Sequence, residues 1–162
     1  MKIGVISDTH LTGCDGTLKA SLANHFDDVD WIVHAGDLVD LAVLNLFAPK
    51  AVFAVHGNSD SGRVRSLLPG QLTLDVGGFR LLVVHDAGRT GWGAGQPQNL
   101  VCPCDCLVFG HTHRPVNRIA AGILYFNPGS ATHNRCSPVA TIGILEIGVE
   151  IRGEIIELRK NG

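Results

Sequence analysis

The stretch Cys106-Leu-Val-Phe-Gly-His-Thr-His-Arg-Pro115 constrains this chain more than any other. An apolar run, Leu107 to Phe109, stops at Gly110 and delivers His111 and His113 two positions apart before Pro115, which cannot donate to a sheet ladder. In an extended backbone an i, i+2 pair points to one side, and Gly110 lets the chain turn without a Cβ clash. Neutral imidazole is a common ligand for a borderline divalent metal. A strand that ends in a metal site competes here with a plainer alternative, two histidines facing solvent in a polar turn.

Four other segments repeat the pattern and decide between the two. Lys2 to His10 is an apolar strand running into Asp8 and His10, and Trp31 to Asp37 ends in Gly36-Asp37. Ala51 to Asp60 ends in Gly57-Asn58-Ser59-Asp60, and Leu81 to His85 closes on a histidine. Singly, each has an ordinary explanation as a helix cap, a turn residue or a buried histidine. Jointly they are five strands with an oxygen or nitrogen donor at each carboxyl end, the end at which open α/β sheets form their ligand crevice.

Asp8-x-His10, Gly36-Asp37, Gly57-Asn58, His85 and Gly110-His111-Thr112-His113 resemble, in order and spacing, the motifs of the calcineurin-like metallophosphoesterases. The short chain and the Gly-Asn-Ser-Asp motif resemble the small bacterial and archaeal phosphodiesterases related to the retromer subunit Vps29. The likeness spans about residues 1 to 147 and includes Asn127-Pro-Gly-Ser130.

The resemblance implies an α/β fold, a layered αββα sandwich of two mixed β-sheets flanked by helices. It also implies two divalent ions, one held by Asp8, His10, Asp37 and His113, the other by Asp37, Asn58, His85 and His111. Asp37 would be the bridge, as the lone pairs of a carboxylate allow. A metal-bridging hydroxide would then attack a phosphodiester. Manganese is the ion the resemblance favours, with iron, zinc or nickel as alternatives, and donors free of thiolate argue against none of these.

Asp60 is assigned as a catalytic support, either accepting the second N–H of a metal-bound histidine or capping a helix. Ser59 stands where many superfamily members carry a histidine that protonates the leaving group, which favours phosphodiesters over unactivated monoesters. Asp86, following His85, adds a charge beside the site. The alternatives are a phosphomonoesterase or nucleotide pyrophosphatase on the same site, or a Vps29-like protein-binding scaffold. His34 and His56 read as structural histidines, His56 with a substrate contact as its alternative, and Arg114 and Arg135 as solvated arginines.

At 162 residues the chain reads as one domain, 1–162, and its 45% hydrophobic content with 20 glycines suits a turn-rich α/β protein. A formal charge of −2 gives no basic stripe, so a small phosphodiester or nucleotide-like substrate is expected rather than stable nucleic-acid binding, and a homo-oligomer is left open. No apolar run reaches the roughly eighteen residues of a spanning helix, and no signal-peptide pattern opens the chain. Five cysteines are expected to be reduced thiols in a cytoplasmic protein. Cys102, Cys104 and Cys106 match a zinc motif poorly because they are spaced C-x-C-x-C.

Helices are expected over Thr17 to Phe26 and Asp40 to Phe47, with a further one near Gln98 to Val101. Hairpins are expected at Gly77-Gly78 and Ala121-Gly122, and the last strands at Val139 to Ile147 and Glu154 to Arg159.

Overall fold

The computed structural model describes residues 1–90, 103–132 and 139–158. Three parallel strands, β1 (Lys2–Ile6), β2 (Trp31–His34) and β3 (Ala51–Ala54), pair in register with Ile3 opposite Trp31 and Trp31 opposite Ala51. Parallel neighbours need a crossover. The first is helix α1 (Gly16–Phe26) and the second a 3₁₀ helix over Leu41–Phe47. On the other side of β1 the sheet continues antiparallel through β9 (Ala140–Ile147) to β10 (Ile151–Leu158).

The second sheet starts with the hairpin β4 (Gln71–Val76) and β5 (Phe79–Val84). β6 (Cys106–Val108) and β8 (Ile123–Asn127) then add parallel to β5, and β7 (Val116–Ala120) closes the far edge antiparallel to β8. The strand orders are β10-β9-β1-β2-β3 and β4-β5-β6-β8-β7, two mixed sheets of five strands each, as expected.

Period-two alternation builds the layers. Ile3, Val5 and Val33 of the first sheet pack with Leu81, Val83, Val108 and Phe126 of the second, which makes the core between the sheets. Ile6 and Ile32 point the other way, onto Leu18, Leu22 and Phe26 of α1 and onto Val43, Leu46 and Phe47 of the 3₁₀ helix. Leu82, Leu107, Phe109 and Tyr125 are buried on the outer face of the second sheet. No helix among the described residues is long and apolar enough to cross a membrane.

Two expectations are corrected. The segment from Asp40 to Phe47 is a 3₁₀ helix capped by Asp40, whose side chain accepts from Ala42 N, and not an α-helix. Its buried Val43 and Leu46 are three apart, the repeat at which 3₁₀ side chains eclipse on one face. The connection after Asp60, expected to be too brief for a long helix, carries a six-residue one, α2 (Gly62–Leu67). The last strand starts at Ile151 rather than Glu154, because Gly153 is a strand residue: a Cβ there would lie 2.6 Å from the Phe126 ring. The helix expected near Gln98 to Val101 lies outside the described residues.

Candidate metal centre

Each candidate ligand follows a strand, and five of the seven have left-handed backbone: Asp8 (φ 53°), His10 (49°), Asp37 (57°), His111 (68°) and His113 (58°). Such conformations cost of order 1 kcal/mol or more for a non-glycine residue and persist only where the surroundings hold them. Here main-chain hydrogen bonds do so: Asp8 N donates to Gly36 O and His10 N to Asp37 O, both at 3.0 Å, and Gly110 N donates to His85 O at 3.0 Å. His111 and His113 therefore reach one side through two left-handed turns, not through the extended backbone expected of them.

Gly110 also has a different reason from the one expected, since its φ is not positive. A Cβ at Gly110 would collide with Ser7 Oγ and lie 2.6 Å from Asp8 Oδ2. The glycine makes room for the Asp8 side chain, which follows another strand.

Two donor sets result. In the first, His113 Nε2 lies 3.2 Å from Asp8 Oδ1 and 3.2 Å from His10 Nε2, with His10 Nε2 3.9 Å from Asp8 Oδ1. In the second, Asn58 Oδ1 is 3.1 Å from His85 Nε2 and 2.8 Å from His111 Nδ1. Asp37 lies between them, its Oδ2 3.4 Å from His85 Nε2 and 3.8 Å from His10 Nε2. All seven expected residues thus come together. They do not come from one sheet: Asp8, His10, Asp37 and Asn58 follow strands of the first, and His85, His111 and His113 follow strands of the second.

The donor atoms fit divalent ions. Asp8 Oδ1 is buried and has no hydrogen-bond donor, a costly state for a carboxylate oxygen unless a cation meets it. Two imidazole nitrogens facing each other at 3.2 Å leave at least one lone pair aimed at the same point. His85 donates Nδ1–H to the Ala35 carbonyl at 2.8 Å, which turns Nε2 toward Asp37 and Asn58.

The titration of the groups follows from the same contacts. Burial pushes the Asp8 carboxyl up, although Ser7, which donates to Oδ2 at 2.6 Å, works against it. Burial would also raise Asp37, but donors from His85 and Ser59 outweigh it and hold the carboxyl well below the usual range. Burial would lower His85, yet Asp37 and Asp8 keep it above its ordinary value.

Asp60 is neither a histidine partner nor a helix cap. It accepts the main-chain N–H groups of Asp37 (3.1 Å), Val39 (2.5 Å) and Gly57 (2.6 Å), while Ser61 caps α2. The buried carboxylate ties the Asp37 loop to the Asn58 loop. Asp86 accepts from Gly88 N at 2.9 Å, a local turn contact. His56 is half-buried with Nδ1 3.4 Å from Gly57 O. Cys106 is buried and burial raises its thiol, Cys104 is partly buried and Cys14 exposed. Among the described residues no group of three metal-capable donors includes a cysteine, and Cys102 and Arg135 lie outside them.

Several supports escaped sequence reading. Ser130 Oγ donates to Asp8 O at 2.8 Å, Asn127 Nδ2 donates to Gly110 O at 2.8 Å, and Arg65 of α2 donates to Asn58 O. The Asn127-Pro-Gly-Ser130 motif was the signal that could have found the first two. His34, expected to be structural, is fully buried. Gly36 N donates to its Nδ1 at 3.2 Å, so Nε2–H faces Thr9 Oγ1, also at 3.2 Å.

Burial, aided by nearby His85, pushes His34 from 6.5 down to about 3. The unfolded chain therefore takes up a proton near pH 6.5 that folded His34 refuses, so its contribution is complete above pH 6.5 and is lost as pH falls toward about 3. The full shift is worth on the order of 5 kcal/mol. Urea midpoints measured across that window should fall with pH in the wild type and fall less steeply in His34→Gln; equal slopes would refute the assignment.

The matches to known proteins agree with this geometry. A family model described as the calcineurin-like phosphoesterase superfamily domain matches residues 1–150. A protein of Methanocaldococcus jannaschii named "Probable metallophosphoesterase" is 33% identical over 166 residues, covering 99% of this chain and 83% of its own length. A second protein of that organism, named a phosphodiesterase, is 25% identical over 169 residues, covering 96% and 99%. The crystal structure of Vps29 from Chaetomium thermophilum superposes with a TM-score of 0.75 at 18% identity, covering 99% of this chain and 90% of that one, a likeness of fold alone. On the family match, and on a third of residues shared along nearly the whole chain, the protein belongs to the calcineurin-like phosphoesterase superfamily, hydrolases of phosphoesters that use divalent metal ions.

Proposed function

We propose that the protein is a phosphodiesterase working on one domain with two divalent ions, manganese first among the candidates. Asp8, His10, Asp37 and His113 hold one ion; Asp37, Asn58, His85 and His111 hold the other. The observation that carries this reading is the position of Asp37 Oδ2, within 4 Å of a histidine nitrogen from each donor set. Such ions, when bound, bring the pKa of water from 15.7 toward about 7 and draw charge off phosphoryl oxygens.

The chain supplies the rest. Asp8 and Asp37 contribute two negative charges and Asn58 none, so two divalent cations keep a positive surplus that attracts an anionic diester. Asp8, Asp37, His85 and His113 are buried while Asn58 and His111 are exposed, which leaves a substrate one side from which to approach. Asp60 acts through the backbone of the loops it joins. Ser59 offers no group that titrates near neutrality at that mouth, which favours diesters with a stable leaving group over unactivated monoesters. A cytoplasmic location is consistent with reduced thiols. The full donor set speaks for an enzyme over a Vps29-like scaffold.

Metal-stripped protein reloaded with Mn²⁺ should hydrolyse bis-p-nitrophenyl phosphate faster than p-nitrophenyl phosphate or a dinucleotide. Preference for either of the latter would move the substrate to a monoester or a pyrophosphate. No turnover at full metal occupancy would leave the scaffold.

A further inference from the structure

Ser59 makes two contacts with Asp37 that differ in kind. Its main-chain N–H donates to Oδ1 at 2.7 Å, and its hydroxyl donates to Oδ2 at 2.8 Å. Oδ2 is the oxygen that faces both donor sets, 3.4 Å from His85 Nε2 and 3.8 Å from His10 Nε2. A carboxylate oxygen has about two lone pairs. An oxygen that bridges two ions has used both, and nothing remains on it for the Ser59 hydroxyl. Oδ1 gives no relief, because it already takes the Ser59 N–H and packs so closely on Gly57 that a Cβ there would collide with it.

Resting on the two-ion reading above, we propose that the Ser59 hydroxyl is a placeholder on Asp37: it occupies the shared oxygen until the second ion arrives and must then turn away. Little motion is needed. Ser59 is exposed, and its Oγ accepts from Asn58 Nδ2 at 3.3 Å. Rotation about χ1 carries the oxygen and its hydrogen together toward the open mouth, because an oxygen left 2.8 Å from Oδ2 with no hydrogen between them would repel it. A hydrogen bond to a charged group is therefore surrendered on loading, and the hydroxyl weakens the ion that binds last. Removing the hydroxyl leaves the main-chain N–H, and with it the setting of Asp37, in place.

Equilibrium dialysis of the metal-stripped full chain against Mn²⁺, with metal counted per protein, reads this without turnover. The wild type should take two ions, and Ser59→Ala should bind the second about tenfold more tightly. Ser59→Thr, which keeps a hydroxyl, should match the wild type. Circular dichroism of the metal-free variants checks the fold, and Ser59→Gly provides the same deletion should alanine disturb it. An unchanged or weaker second ion in the hydroxyl-free variants, with two ions bound, overturns the proposal and leaves the two-ion reading intact. Ser59→Thr binding the second ion as tightly as Ser59→Ala overturns it equally. Fewer than two ions in the saturated wild type removes the two-ion reading and the placeholder with it.

Discussion

Asp37→Asn should lower Mn²⁺-dependent turnover of bis-p-nitrophenyl phosphate by about 10³-fold, the equivalent of the several kcal/mol that metal-centred charge stabilisation supplies. Asparagine keeps the shape and tolerates the left-handed backbone that Asp37 adopts at φ 57°, so the loop should survive the change. The chemistry should not. One carboxylate oxygen becomes an NH₂, and either orientation of the amide fails. With the nitrogen at Oδ1 it opposes the Ser59 N–H, and with the nitrogen at Oδ2 it points donors between His85 and His10, where cations are wanted. Kinetics paired with metal analysis checks this. Turnover within tenfold of wild type would remove Asp37 from the centre.

Asp60→Ala should have the largest effect on stability. Its carboxylate takes three main-chain donors, from Asp37, Val39 and Gly57, and alanine would strand all three. A buried N–H without a partner costs about 1–3 kcal/mol, so a loss of roughly 3–5 kcal/mol is expected once water reaches the half-buried Val39 N–H. The figure is at the high end for one substitution because the loops hold strained backbone. Val39 is β-branched and has φ 76°, an outlier that only firm hydrogen bonding keeps in place. Mn²⁺ affinity should weaken by about 10–100-fold in parallel, as for other residues that orient ligands at one remove. Urea denaturation and metal titration measure the two effects, and wild-type stability in Asp60→Ala would contradict the clamp.

The strands and the donors that cluster at their ends were legible in the sequence for one reason: both are written in short spans. Apolar runs of strand length end at Asp8, Asp37, Asn58, His85 and His111, and all those endings meet in space. What could not be read depends on distant partners. That His85 and His111 hang from a different sheet than Asp8 and Asp37 has no local signature, because an apolar strand reads the same in either sheet. Gly153 looked like a turn because the Phe126 ring that requires it is far along the chain. Gly110 looked like a hinge for the same reason, its need being set by Ser7 and Asp8. Asp60 supports the site as expected of it, but through main-chain N–H groups, which leave no trace in residue identity.

The two donor sets straddle the boundary between the sheets: Asp8 and His10 meet His113, and Asp37 and Asn58 meet His85 and His111. Neither half of the sandwich carries a complete ligand set by itself. Ions bound there would rivet the halves together at one end of their shared core, so that shearing one against the other by even a single residue would empty both positions at once. Metal occupancy would then report the alignment of the halves, and a chain still aligning them during folding could not yet cut its substrate.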